Sequence, residues 1–156
     1  MKINNISLII YDFDGVFTDN KVLLFEDGKE AVFVDRGDGL AVKEFRKMGI
    51  PQIIISTEAN PVVRARAKKL QIDVIHSVED KEVVVRKYLK RHRINKGNVI
   101  FVGNDINDKK AMEFVGWPIA PANAHEDIKN ISKTILRARG GFGAIRELLD
   151  ILVNKT

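Results

Sequence analysis

The chain has 156 residues, of which 45% are hydrophobic and 30% charged, with no cysteine and a net charge of +5. That length suits one domain with a sizeable core, and the lack of cysteine excludes a disulfide framework and any thiolate metal site. No apolar run is long enough to span a bilayer, and residues 1–5 lack the apolar core of a secretory leader, so a cytoplasmic location without membrane contact is expected.

Residues 6–11 are a short apolar run rich in β-formers, followed at once by Asp12 and Asp14. The run reads as a buried strand. Residues 21–25 and 31–34 flank an Asp27-Gly28 turn and predict a hairpin inserted after that strand. Ala41, Phe45 and Met48 share a helical face. Residues 52–56 read as a second buried strand, and Pro61 suits the first turn of a helix running to Leu70. Residues 74–75 are a weaker strand. Val84, Val85, Tyr88 and Leu89 form an apolar stripe along a helix over residues 79–92. Residues 99–102 give a third clear strand, with weaker ones at 118–120 and 134–136. Ile145, Leu148, Leu149 and Leu152 mark a last helix.

From Ala41 onward strand and helix alternate. The expectation is a single α/β domain over residues 1–156, doubly wound around a mostly parallel sheet with helices on both faces. The hairpin insertion covers about residues 20–36, and a glycine-rich tail with the last helix about residues 139–156. The positive charge is compatible with a small anionic ligand such as a sugar phosphate. No nucleic-acid signature and no basic stripe interleaved with aromatics is present, so nucleic acid is not an expected partner.

In doubly wound folds ligands gather beyond the carboxyl ends of the strands. Asp12 and Asp14 follow the first strand, Ser56 ends the second, and Gly103-Asn104-Asp105 follows residues 99–102, with Asp108 close behind. Carboxylates of this kind suit magnesium, which takes one or two of them plus substrate phosphate and water. A dication also relieves the repulsion between the acids and an incoming phosphate. Calcium loops do not fit: one starting at Asp12 would end on Leu23, and one starting at Asp105 would put Lys110 where glycine is needed. The competing explanation is that these acids cap helices and turns. A Ser56 hydroxyl with nearby backbone N–H groups can hold a phosphate oxygen, and Lys81, at the start of its helix, can bring a cation to the same edge.

In order along the chain, Asp12-Phe13-Asp14-Gly15, then Ser56, then Lys81, then Gly103-Asn104-Asp105 with Asp108 resemble the four motifs of the haloacid dehalogenase superfamily. The resemblance implies that Asp12 attacks phosphorus and forms an aspartyl-phosphate. It implies that Asp14 protonates the leaving oxygen and then activates water. Asp12, Asp14 through its backbone carbonyl, and Asp105 would hold Mg2+. Ser56, Thr57 and Lys81 would bind the phosphoryl group. Asn104 and Asp108 would support the site, Asp108 by positioning Lys81 or a metal-bound water. An acid two residues after the nucleophile marks the phosphatases of this superfamily rather than its dehalogenases.

Only the hairpin separates Asp14 from Ser56, so there is no large cap domain. The segment from Arg139 through Gly140, Gly141 and Gly143 to Glu147 lacks the glycine spacing of a dinucleotide fingerprint. It resembles the tail of the 3-deoxy-octulosonate 8-phosphate phosphatases and their nine-carbon relatives. That likeness implies a homotetramer assembled through the hairpins, with Arg139, Gly140 and Gly141 of one subunit covering a neighbour's site and contacting its substrate. The eight-carbon enzymes usually carry Thr-Gly-Arg where this chain has Ser56-Thr57-Glu58. Glu58 together with Lys69 is more similar to the 2-keto-3-deoxy-nononate 9-phosphate phosphatases, and both are expected to contact the sugar or the neighbouring tail. The expected substrate is therefore a nonulosonate 9-phosphate (KDN or N-acetylneuraminate). The nearest alternative is 3-deoxy-D-manno-octulosonate 8-phosphate. The alternative of another class is a non-catalytic tetrameric module associated with a cytidylyltransferase.

Overall fold

The computed structural model describes residues 3–154. In chain order its elements are β1 (Leu8–Tyr11), a hairpin of β2 (Leu23–Leu24) and β3 (Glu30–Ala31), α1 (Arg36–Lys47), β4 (Gln52–Ile55), α2 (Pro61–Leu70), β5 (Asp73–Ile75), α3 (Lys81–His92), β6 (Val99–Val102), α4 (Lys109–Phe114), β7 (Trp117–Ala120), α5 (Glu126–Ile131), β8 (Thr134–Ile135) and α6 (Ala144–Val153). Six strands form one sheet in the order β5-β4-β1-β6-β7-β8, and every pairing in it is parallel. This is the doubly wound sheet the alternation predicts, with a small hairpin and no large cap.

Strand periodicity builds the two halves of the core. Ile9, Tyr11, Ile54, Ile100 and Val102 face one side, where α1, α2 and α6 supply Phe45, Val63, Leu148 and Leu152. Leu8, Ile10, Ile53, Ile55, Val99 and Phe101 face the other, against Val85 and Leu89 of α3, Met112 of α4 and Ile128 of α5. Both faces are covered, so the strands are continuous apolar runs rather than alternating ones. Met48 departs from its predicted place: it is the C-cap of α1 and is half exposed, and the buried face is Ala41, Val42 and Phe45. The short helices α4 and α5 were not legible in the pattern. No helix among the described residues is long and apolar enough to cross a membrane.

Strand order reverses at β1, which lies between β4 and β6. The registers Tyr11↔Ile54 and Tyr11↔Val102 bring the ends of these three strands level. The residues that follow them, Asp12, Ser56 and Gly103-Asn104, therefore meet at one edge, at the topological switch point where such sheets bind ligands. The hairpin keeps only two residues per strand, and an isolated Thr18–Val34 bridge closes its base over that edge.

Candidate active site

Asp12 leaves β1 with its side chain buried. Its Oδ1 accepts from the Phe13 N–H at 2.7 Å and lies 2.6 Å from the Lys81 ammonium. Lys81 is the first residue of α3, whose N-cap Asp80 accepts from the Val83 N–H. That cap turns the helix start toward the sheet edge, and the Lys81 ammonium donates to Asp108 Oδ1, also at 2.6 Å. Asp108 Oδ2 accepts from the Asn104 N–H at 2.9 Å. The floor of the site is thus a buried chain of charges, Asp12, Lys81 and Asp108, of which Asp12 alone reaches the cavity.

Burial drives the Asp12 carboxyl up, the Asp108 charge adds to this, and Lys81 with the Phe13 N–H oppose it; the result is a pKa of about 7. Burial alone would lower the Lys81 ammonium, but Asp12 and Asp108 outweigh it and hold it above the usual lysine range. Asp14 sits half buried beside them. Its carboxyl is raised by burial and by Glu58, against the hydrogen bond from Thr18. A carboxyl whose pKa is pushed upward is suited to the work of a general acid.

Asp14 is fixed by a residue the sequence reading passed over. The buried Thr18 hydroxyl donates to Asp14 Oδ1 at 3.3 Å and accepts from the Gly15 N–H at 3.1 Å and the Asn20 N–H at 3.2 Å. Gly15 has a positive φ of 80°, and a side chain there would strike Asn104. Only glycine lets the loop turn back under Asn104 in this way.

The oxygens of the site fit a divalent cation. One terminal atom of the Asn104 side chain lies 2.7 Å from the Asp14 carbonyl oxygen and 3.2 Å from Asp12 Oδ2. As nitrogen it donates to both. It thereby holds together the Asp14 carbonyl and Asp12 Oδ2, two of the oxygens that would hold a magnesium ion. Asp105 lines the same cavity, its Oδ1 also capping the Ile106 N–H at 2.7 Å. No three His, Asp or Glu side chains form a ready cage among the described residues. Magnesium commonly takes one or two carboxylates and completes its shell with a carbonyl, water and substrate.

Above this floor opens a cavity of about 490 Å³. Of the residues singled out in the sequence, Asp12, Asp14, Ser56, Thr57, Glu58, Asn104 and Asp105 line it. Ser56 is buried and its Oγ accepts from the Glu58 N–H at 3.1 Å, while Thr57 Oγ1 accepts from Asn107 at 3.3 Å. Lys81 and Asp108 lie beneath. Glu58 caps its own loop, accepting from the Ala59 and Asn60 N–H groups. Lys69 lies instead in an adjoining apolar pocket with Phe13, Val34 and Arg66, which shares Val32 and Val62 with the main cavity. Gly140 and Gly141 are packed against the backbone of Gly15 and Thr18 of their own chain, and the Gly141 N–H donates to the Val16 carbonyl. Neither they nor Arg139 line this chain's cavity. The sequence reading also missed Asn20, Lys21, Val22, Glu30, Val32, Val62 and Asn107 in the lining. The predicted hairpin beside the first strand was the signal that some of them would lie there.

A doubly wound sheet carrying a buried carboxylate pair, a buried lysine and an oxygen-rich metal position at its switch point defines a metal-assisted phosphoryl-transfer enzyme. Residues 50–140 match the family described as haloacid dehalogenase-like hydrolase. The 3-deoxy-D-manno-octulosonate 8-phosphate phosphatase KdsC of Escherichia coli K12 is 30% identical over 97% of this chain and 81% of its own length. Among solved structures, a HAD family hydrolase from Streptomyces avermitilis superposes with a TM-score of 0.96 at 40% identity, over 98% of this chain and 88% of that one. The 3-deoxy-D-manno-octulosonate 8-phosphate phosphatase of Moraxella catarrhalis, solved with magnesium, phosphate and KDO, gives 0.93 at 28% identity, over 97% and 88%. The chain belongs to the haloacid dehalogenase-like hydrolase family. Within that family it is a phosphoric monoester hydrolase.

Proposed function

We propose that the chain hydrolyses a sugar-acid phosphate, 3-deoxy-D-manno-octulosonate 8-phosphate, with magnesium, through an aspartyl-phosphate on Asp12. The carrying observation for the chemistry is the buried Asp12 carboxylate held on Lys81 at 2.6 Å with Asp14 beside it at the cavity floor. An oxygen of Asp12 forms a bond to phosphorus as the ester P–O bond breaks, and Asp14 gives its proton to the departing sugar oxygen. Asp14, now a carboxylate, takes a proton from water as that water attacks phosphorus, and the P–O bond to Asp12 breaks to release phosphate. Ser56, Thr57 and Lys81 hold the phosphoryl oxygens as charge spreads over them. Asp12, the Asp14 carbonyl and Asp105 would hold magnesium, which would supply the positive charge that lets the two anions approach.

The choice of sugar rests on similarity over nearly the whole chain to eight-carbon phosphatases. It therefore departs from the nine-carbon substrate expected from Glu58 and Lys69. Glu58 in the cavity lining is the one feature that favours the nine-carbon reading, while Lys69 lies outside it. The test is kcat/KM on the two phosphates with and without magnesium. The eight-carbon phosphate should lead by about tenfold or more. A lead for the nine-carbon phosphate would overturn the substrate, and activity untouched by chelation would overturn the metal.

Assembly through the hairpin belongs to the same proposal. Leu23, Leu24, Phe25 and Phe33 are exposed on it, Phe33 by 76%. A run of exposed apolar residues marks a surface another protein surface covers. A homotetramer in the cytoplasm, assembled through the hairpin, is the assembly we propose. The cover expected from a neighbour's tail is not part of it, because Gly140, Gly141 and α6 pack into their own chain.

A further inference from the structure

Five carboxylates line the cavity: Asp12, Asp14, Glu30, Glu58 and Asp105. Among the described residues the lining contains one cation, Lys21, because Lys81 lies below the floor in its bonds to Asp12 and Asp108. The rim carboxylates are already engaged. Glu58 accepts from two backbone N–H groups, at 2.7 and 2.8 Å, and Glu30 accepts from the Asn60 amide at 2.8 Å. Lys21 is different. No ion pair or side-chain hydrogen bond holds its ammonium among the described residues; its one hydrogen bond is from its backbone N–H to Asp19 Oδ1, at 3.1 Å.

The backbone of Lys21 is nevertheless held in place. Thr18 bridges to Val34 and its hydroxyl accepts from the Asn20 N–H at 3.2 Å. Asn20 takes a left-handed turn at φ 65°, which brings residues 20–22 along the cavity wall. The result is a free ammonium on an anchored backbone, in a mouth whose other charged lining residues are all acids.

A sugar-acid phosphate carries two anionic ends. The phosphate is met at the floor. The carboxylate, at the other end of the polyol chain, would meet a rim of like charge unless a cation stands there. We infer that Lys21 is the specificity-determining residue that binds the substrate carboxylate. Glu30 and Glu58 then accept from the hydroxyls between the two ends. This rests on the sugar-acid reading given above.

The experiment is competition against aryl-phosphate turnover by the eight-carbon and nine-carbon sugar-acid phosphates, each as the free acid and as its methyl ester. The ester lacks the carboxylate charge and adds one methyl group, so it is the change in the acid-to-ester ratio of inhibition constants on substituting Lys21 that isolates recognition of the charge. The wild-type chain should prefer the acid by about tenfold or more, the size expected of a charge-assisted contact. Lys21→Met should bring that preference to about threefold or less, and Lys21→Arg should restore most of it. A preference that survives Lys21→Met, or a wild-type chain that binds acid and ester alike, would overturn the inference. Failure of the substrate reading has a different mark: the sugar phosphates would be turned over no better than the aryl phosphate, while the acid-to-ester ratio would still be read by competition.

Discussion

At the floor of the cleft Lys81 is buried between Asp12 and Asp108, each 2.6 Å away. A few residues along from Asp14, the hairpin shows Leu24 and Phe33 to solvent and keeps two residues per strand. The floor is held by the central strands of the sheet and by buried charges that pair with one another and with backbone N–H groups. The rim is held by one bridge and a few side-chain bonds. The contrast separates the two tasks of the enzyme. Chemistry needs groups fixed in a low-dielectric setting, whereas on the proposed reading the exposed parts around it would choose the substrate and the neighbouring subunit.

Changes to the floor should have the largest effects. Asp12→Asn should lower kcat by about 10⁴-fold or more on every phosphate ester while leaving the unfolding temperature near that of the wild type. Lys81→Met removes the cation between two buried carboxylates. It should abolish most turnover and also cost about 3–5 kcal/mol of stability, read as a fall of the melting temperature by about 10 °C. Asp14→Asn should lower kcat on a sugar phosphate by about 10²–10⁴-fold and less on a nitrophenyl phosphate, whose leaving group does not need the proton. An equal loss on both would place Asp14 outside the proton transfer.

Two smaller effects sharpen the contrast away from the floor. Asp38, in α1, is fully buried and caps α6 by accepting from the Arg146 N–H at 2.9 Å. Burial is the main cause of its pKa of about 6, with Asp35 adding and the backbone N–H opposing. Its folded value is raised above that of the unfolded chain. Its contribution to stability is therefore full below about pH 4 and is lost as the pH rises through about 6. Asp38→Asn keeps the acceptor but not the charge. It should be more stable than wild type at pH 7, by up to about 3 kcal/mol in urea unfolding, with the gain gone at pH 4. Phe33→Asp, on the hairpin, should change the fold stability by less than about 0.5 kcal/mol. Its effect should appear in the particle mass by light scattering, as loss of the assembled form.

The sequence made the floor legible and the rim mostly not. Residues 6–11, 52–56 and 99–102 stood out because strands buried on both faces are unbroken apolar runs, and the acids after them mark the strand ends. Register then placed Asp12, Ser56 and Asn104 side by side. The helices α4 and α5 have six residues each, too few to show an apolar stripe. Thr18 acts through a tight turn whose contacts no periodicity reveals. Gly140 and Gly141 read as part of a cover for a neighbour. The structure packs them where the backbone of Gly15 and Thr18 leaves no room for a side chain, and α6 beyond them buries Leu148 and Leu152 in the core. Lys21 entered the sequence pattern only as the start of the predicted strand over residues 21–25, because its meaning depends on the acids the fold gathers around it.

The central claim is that phosphorus passes through Asp12. The stereochemical course at phosphorus tests it directly, with a substrate made chiral by oxygen isotopes. Two in-line displacements, onto Asp12 and then onto water, predict overall retention. Inversion would mean that water attacks the ester in one step and would contradict the account.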